Sequence, residues 1–115
     1  MAVLATIPNR TIAAGASETP SVAVPSQYSR AGLRMSRANW PVAGVEITLW
    51  LSYDGGQTWR VGNRAQIGPG STSAKDPVLR DAVIGMGWST QKPTHAKASA
   101  VSPSSFQSNV TIEAD

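Results

Sequence analysis

The sequence predicts an all-β fold: a single antiparallel β-sandwich, jelly-roll-like in its wiring. Three observations predict it. No stretch sustains helical periodicity, and 8 prolines and 10 glycines spread over 115 residues bound short strands and break long helices. Apolar and polar residues alternate with period two in several segments, most clearly in "GVEITLWLSYD". The punctuation yields roughly seven to nine strands at the spacing of a sandwich or jelly roll. A chain of this length fits one domain and buries roughly two-thirds of its unfolded surface, enough for one core.

Taken in order, "MAVLATIP" reads as an arm or first edge strand over residues 1–8, with the sandwich domain over residues 9–115. "NRTIAAGASETP" is a short strand running into a polar turn, and "SVAVPSQY" sets Val22 and Val24 on one face before Pro25. In "SRAGLRMSRANW" the inward set is Ala31, Leu33 and Met35, opposed by Arg30, Gly32, Arg34 and Ser36. The strongest strand places Val45, Ile47, Leu49, Leu51 and Tyr53 on one face and Glu46, Thr48, Trp50 and Ser52 on the other. A Gly-Gly turn follows, and "QTWRVGNRAQI" returns as the hairpin partner. "GPGSTSAKDP" is a loop by composition, and "VLRDAVIGMGWS" is a strand interrupted by Gly85 and Gly87, or one helical turn. "THAKASAVS" alternates Ala96, Ala98 and Ala100 with His95, Lys97 and Ser99; "SNVTIEAD" closes the fold with Val110 and Ile112 inward.

The hairpin turn carries a motif. "SYDGGQTW" reads S-x-D-x-G-x-T-W, with Ser52, Asp54, Gly56, Thr58 and Trp59 at its fixed positions. Asp54 suits a carboxylate that accepts backbone N–H groups inside a turn, and Gly55 or Gly56 suits a positive φ. Thr58 is expected to bond across the turn and Trp59 to bury its ring beneath it. These residues resemble the Asp-box of sialidases and other β-propellers. That resemblance implies a box that caps a hairpin away from any catalytic centre. A propeller needs several blades of about 40 residues each, more than this chain holds. The expected role is a structural turn.

Composition narrows the remaining classes. There is no cysteine, hence no disulfide framework, thiolate metal site or cysteine nucleophile. The first residues, "MAVLATIPNR", lack a basic start and a long apolar run, so no cleaved signal is expected, and no stretch approaches the ~20 apolar residues of a membrane span. Net charge is +3, but only 15% of residues are charged, and the positive charge is spread without a basic tract. Nucleic-acid binding is therefore not expected.

Catalytic groups are not legible. His95 is the only histidine and has no local carboxylate or nucleophile, so it reads as an exposed spectator. Asp76 and Asp81 flank "PVLR" without calcium-loop spacing and read as turn carboxylates. The expectation is a protein without catalytic residues, metal or cofactor, and not an enzyme. Arg30 and Arg34 share a strand face with Arg37 near its end, a candidate interface between subunits. Trp40, Trp50, Trp59 and Trp88 outnumber tyrosine and phenylalanine together; Trp50, on the polar face of its strand, is a further candidate contact.

The entry segment "TIPNRTIAAGASETPSVAVPS", the arginine-bearing strand ending in "NWP", and the long hairpin "ITLWLSYDGGQTW" together resemble the small β-sandwich virion proteins of tailed bacteriophages. The resemblance covers the first half of the chain. It implies a non-enzymatic virion protein, a capsid decoration or cement protein or a neck or tail component, bound to the major capsid protein or other virion subunits as a homo-oligomer or on the lattice. Val3, Leu4 and Ile7 in the arm, too few to make a core, are then candidate interface residues, expected foremost to add a strand to a neighbouring subunit, the other place being their own sheet edge. The alternative is a carbohydrate-binding β-sandwich in which Trp50 or Trp40 is a stacking platform and Asp54 or Asn39 a polar partner. A third reading is a fragment-like hydrolase.

Overall fold

Alternating apolar residues and glycine-rich turns fold the chain into two antiparallel sheets packed face to face, as a computed structural model shows for residues 2–36, 41, 43–67, 84–85 and 92–115. Nine strands follow in chain order: β1 Ala2–Ile12, β2 Gly15–Glu18, β3 Val22–Ala23, β4 Ala31–Ser36, β5 Val45–Ser52, β6 Arg60–Ile67, β7 Ile84–Gly85, β8 His95–Ser102 and β9 Phe106–Ala114. The first sheet has the order β1-β9-β4-β7 and the second β2-β8-β5-β6, with β3 also paired to β8. The sandwich is the expected fold, and among the described residues there is no helix.

Period-two alternation decides which side chains form the core. Val45, Ile47, Leu49 and Leu51 of β5 are at most 1% exposed. They face Ala31, Leu33 and Met35 of β4 and Val110 and Ile112 of β9 across the gap between sheets, all within one buried cluster. From β8 come Ala96, Ala98 and Ala100, side chains small enough to let the sheets approach closely. Burying each large aliphatic contributes ~1.5–3 kcal/mol.

Residues 2–12 are one strand, paired with β9 from Ala2↔Ala114 to Ile12↔Phe106. Of the two places expected for the arm, its own sheet edge is the one observed. Pro8, which has no N–H to donate, falls at a register shift between Ile7 and Arg10, a bulge on an edge strand where proline is tolerated. Leu4 packs against the core, while Val3 is 61% exposed.

The polar groups taken into the fold are satisfied. Thr19, between β2 and β3, replaces a strand residue: its N–H donates to the Ala98 carbonyl at 2.8 Å and its Oγ1 accepts from the Ala98 N–H at 3.0 Å. Glu113, whose side chain is 6% exposed, is paired with Arg34 Nε at 3.2 Å. Among the described residues no buried side-chain nitrogen or oxygen lacks a hydrogen-bond partner.

Candidate functional site

The second sheet carries the groove. Its outer face is built from the residues that alternate away from the core, and strand register stacks them into rungs. Glu46 stands opposite Val101 on β8 and Gln66 on β6; Val101 in turn faces Ala16 on β2. The next rung runs Glu18, Ser99, Thr48, Arg64, and the third runs Lys97, Trp50, Val61. The middle of the second rung holds two short side chains, Ser99 and Thr48, between long ones. The face is therefore hollowed into a groove of about 510 Å³.

Trp50 lines this groove with its indole N–H already used: Nε1 donates to Ser99 Oγ at 2.7 Å across the strand gap. Tying down the one polar atom of the ring leaves its apolar surface as the part offered to a visitor. The charged walls are arranged as pairs. Lys97 Nζ lies 3.2 Å from Glu18 Oε2, and Arg64 Nε lies 3.6 Å from Glu46 Oε1 while donating to Thr48 Oγ1 at 3.2 Å. Lys97 Nζ also stands 4.5 Å above the centroid of the Trp59 ring, a cation–π contact between two residues that line the groove.

A bulge is what brings Arg64 to this face. Leu49 pairs with Asn63 and Trp50 with Val61, so Gly62 is an extra residue in β6. With one unpaired residue between them, Val61 and Arg64 point to the same side although they are three apart in sequence. A Cβ at Gly62 would lie 2.7 Å from Leu51 Cδ1, closer than side chains pack.

The stretch "SYDGGQTW" forms the turn between β5 and β6 and sets Trp59. Asp54 Oδ1 accepts from the N–H groups of Gln57 at 3.1 Å and Thr58 at 2.9 Å and from Ser52 Oγ at 2.8 Å, and Oδ2 accepts from Thr58 Oγ1. The Thr58 hydroxyl foremost, then the Thr58 N–H and Ser52 hydroxyl, hold the Asp54 carboxyl down to a pKa of about 2. Gly55 and Gly56 have φ of 79° and 92°, the left-handed region that glycine enters without strain. Ser52 is fully buried, and its Oγ accepts from the Gly56 N–H at 2.8 Å. Ser52, Asp54, Gly56 and Thr58 are thus joined by hydrogen bonds in one turn, and the half-buried Trp59 ring lies beside Gly56 of that turn and beneath Lys97 Nζ.

The other expected site residues are distributed differently. Asp54 spends both oxygens on the turn, and the groove is lined by other residues. Arg30 and Arg34 make ion pairs within the chain, Arg30 with Asp115 at 2.6 Å and Arg34 with Glu113. Arg37, Asn39, Trp40, Asp76, Asp81 and Trp88 lie outside the described residues. His95 is half-buried, its Nδ1 3.2 Å from Thr94 Oγ1. Among the described residues no three His, Cys, Asp or Glu side chains gather where they could hold a metal ion.

Sequence reasoning singled out Trp50 but not Glu18, Glu46, Arg64 or Lys97. The alternation of β5 and β8 signals the outward direction of Glu46 and Lys97. Nothing in the sequence announces the register that sets β2 beside β8, or the bulge at Gly62.

No family model matches this chain, and no curated protein matches it. Solved structures do. The crystal structure of PirA shares 11% identity with a TM-score of 0.53, covering 96% of this chain and 93% of that one. A carbohydrate-binding module from Cellvibrio mixtus lichenase 5A, in complex with cellotriose, shares 14% identity with a TM-score of 0.53, covering 96% of this chain and 97% of that one. At these identities the likeness is one of fold.

Proposed function

We propose that this protein is a carbohydrate-binding β-sandwich and that the groove on the outer face of the second sheet holds the glycan. The observation that carries the reading is Trp50: an aromatic surface in an open groove, with its N–H consumed by Ser99 and carboxylates and cations within the same walls. Sugars have apolar C–H faces and rims of hydroxyls. An apolar ring surface suits the first, and Glu18, Glu46, Arg64 and Lys97 supply acceptors and donors for the second. The fold shared with a carbohydrate-binding module is consistent with this reading.

The virion reading drew on the entry segment, the arginine strand and the long hairpin. β1 is paired with β9, Arg30 with Asp115 and Arg34 with Glu113, while the hairpin carries Trp50, Trp59 and Arg64 to the groove. For that reason we favour the groove.

The test is affinity gel electrophoresis through gels containing soluble polysaccharides: hydroxyethylcellulose, mixed-linkage β-glucan, xylan, mannan, polygalacturonate and alginate. At least one should retard the protein, and Trp50→Ala, shown to be folded by circular dichroism, should migrate as in a gel without polysaccharide. Unretarded migration of the wild-type chain in every gel overturns the reading.

A further inference from the structure

Resting on the glycan reading, we infer that the groove takes an internal segment of a neutral polysaccharide, several sugars long, and not a chain end or an acidic glycan. Two observations carry this. The first is that the groove does not stop at Glu46. A second depression of about 450 Å³, lined by Ala43, Gly44, Gln66, Ser102 and Pro103, shares Glu46 and Val101 with the first. The two adjoin at Glu46 and Val101, so the depressed face extends from Trp50 toward Gly44. At ~3.4 Å per residue, the six steps from Trp50 back to Gly44 span roughly 20 Å, room for several pyranose rings in a row. Val101, 52% exposed, lies at the join as an apolar patch. Neither depression is an enclosed cavity of the kind that would surround a terminal sugar.

The second observation is charge. Among the described residues, the ionised side chains lining the two depressions are Glu18, Glu46, Arg64 and Lys97, two of each sign, and they neutralise one another in pairs. Such a lining carries no net charge of its own to attract a uronate or a sulfate, and an anion binding one cation strands that cation's carboxylate partner beside it. A neutral sugar needs no pair broken. Its hydroxyls donate to Glu18 and Glu46 and accept from Lys97 and Arg64 while both pairs stay in place. Lys97, held between Glu18 and the Trp59 ring, is the less exposed of the two cations, with 17% of its side chain open against 49% for Arg64.

Isothermal titration of the full chain with a ladder of neutral oligosaccharides, cut from the polysaccharide that retards it most, tests the inference. Matched probes are a hexasaccharide reduced at its end and a hexagalacturonate. Affinity should rise with length beyond three sugars, the reduced hexasaccharide should bind like the unreduced one, and hexagalacturonate should bind more weakly. Gln66→Ala, which alters only the second depression, should weaken the hexasaccharide about fivefold, the loss of one neutral hydrogen bond, and leave the trisaccharide unchanged. Three results overturn the inference while leaving glycan binding intact: affinity that plateaus at one or two sugars, loss of binding on end reduction, or tighter binding of hexagalacturonate that weakens with salt. A wild-type chain that gives no heat with any probe and no retardation in any gel overturns the glycan reading itself.

Discussion

Trp50 and Asp54 stand four residues apart and do different work. Trp50 offers a surface, with its N–H tied to Ser99 at 2.7 Å. Trp50→Ala should therefore lower glycan affinity by about tenfold or more, a loss of ~1.4 kcal/mol, while Trp50→Phe keeps part of it. Titration calorimetry reads both. Asp54 holds a turn, and its carboxyl titrates at about 2 instead of the ordinary 3.8. A carboxylate with a depressed folded-state pKa stabilises the fold above its unfolded value, and that stabilisation is lost as pH falls through the folded value. The stability difference between wild type and Asp54→Asn should be full at pH 7, shrink below about pH 4 and be mostly lost as pH falls through about 2. Urea midpoints across that range measure it; a difference that persists unchanged at pH 2 would contradict the assigned hydrogen bonds. Because Asp54 also fixes the strand return that carries Trp59 to Lys97, Asp54→Ala should weaken glycan binding as well as lower the urea midpoint.

At the level of elements, the β5–β6 hairpin decides the shape of the site. Gly62 is the extra residue that turns Arg64 to the groove face, and a Cβ there would meet Leu51 Cδ1 at 2.7 Å. Gly62→Ala should cost about 1–3 kcal/mol by overpacking against a buried leucine, measured by denaturant unfolding. It should also displace Arg64 from Glu46, lowering affinity more than its stability cost alone explains. The same hairpin shows what a sequence makes legible. The apolar set Val45, Ile47, Leu49 and Leu51 repeats every second residue, and burial enforces that period, so the strand and its inward face follow from the pattern. The turn follows from Asp54 and the glycine pair. The bulge does not, because the register that leaves Gly62 unpaired, with no room for a Cβ beside Leu51, exists only once the strands pair. Thr48 and Ser52 are also more buried than their polar face suggests: Thr48 sits on the floor of a groove whose walls come from other strands, and Ser52 lies under its own turn. The arm misleads for a related reason. Val3, Leu4 and Ile7 look too few to build a core, yet β1 gains backbone pairing along nearly the whole of β9.

For the whole molecule, two consequences follow from the sandwich. Removing residues 2–12 strips β1 from β9, takes Ile12 out of the core and uncovers Phe106, Val110 and Ile112, so the truncated chain should lose cooperative unfolding; a sharp thermal transition in that variant would show that β1 is dispensable. Leu49→Ala, at the centre of the two-sheet core and 0% exposed, should cost about 2–5 kcal/mol without touching the groove, so any fully folded fraction should bind glycan with wild-type affinity. The central claim concerns which face of the sandwich meets the sugar. An NMR titration of the isotope-labelled chain with its best neutral oligosaccharide addresses it directly. The predicted result is amide shifts gathered on Glu18, Glu46, Thr48, Trp50, Arg64, Lys97 and Ser99, together with the Trp50 indole N–H, and near silence from β1, β4 and β9. Shifts gathered instead on the outer face of the β1-β9-β4 sheet, or no shifts at saturating sugar, would contradict it.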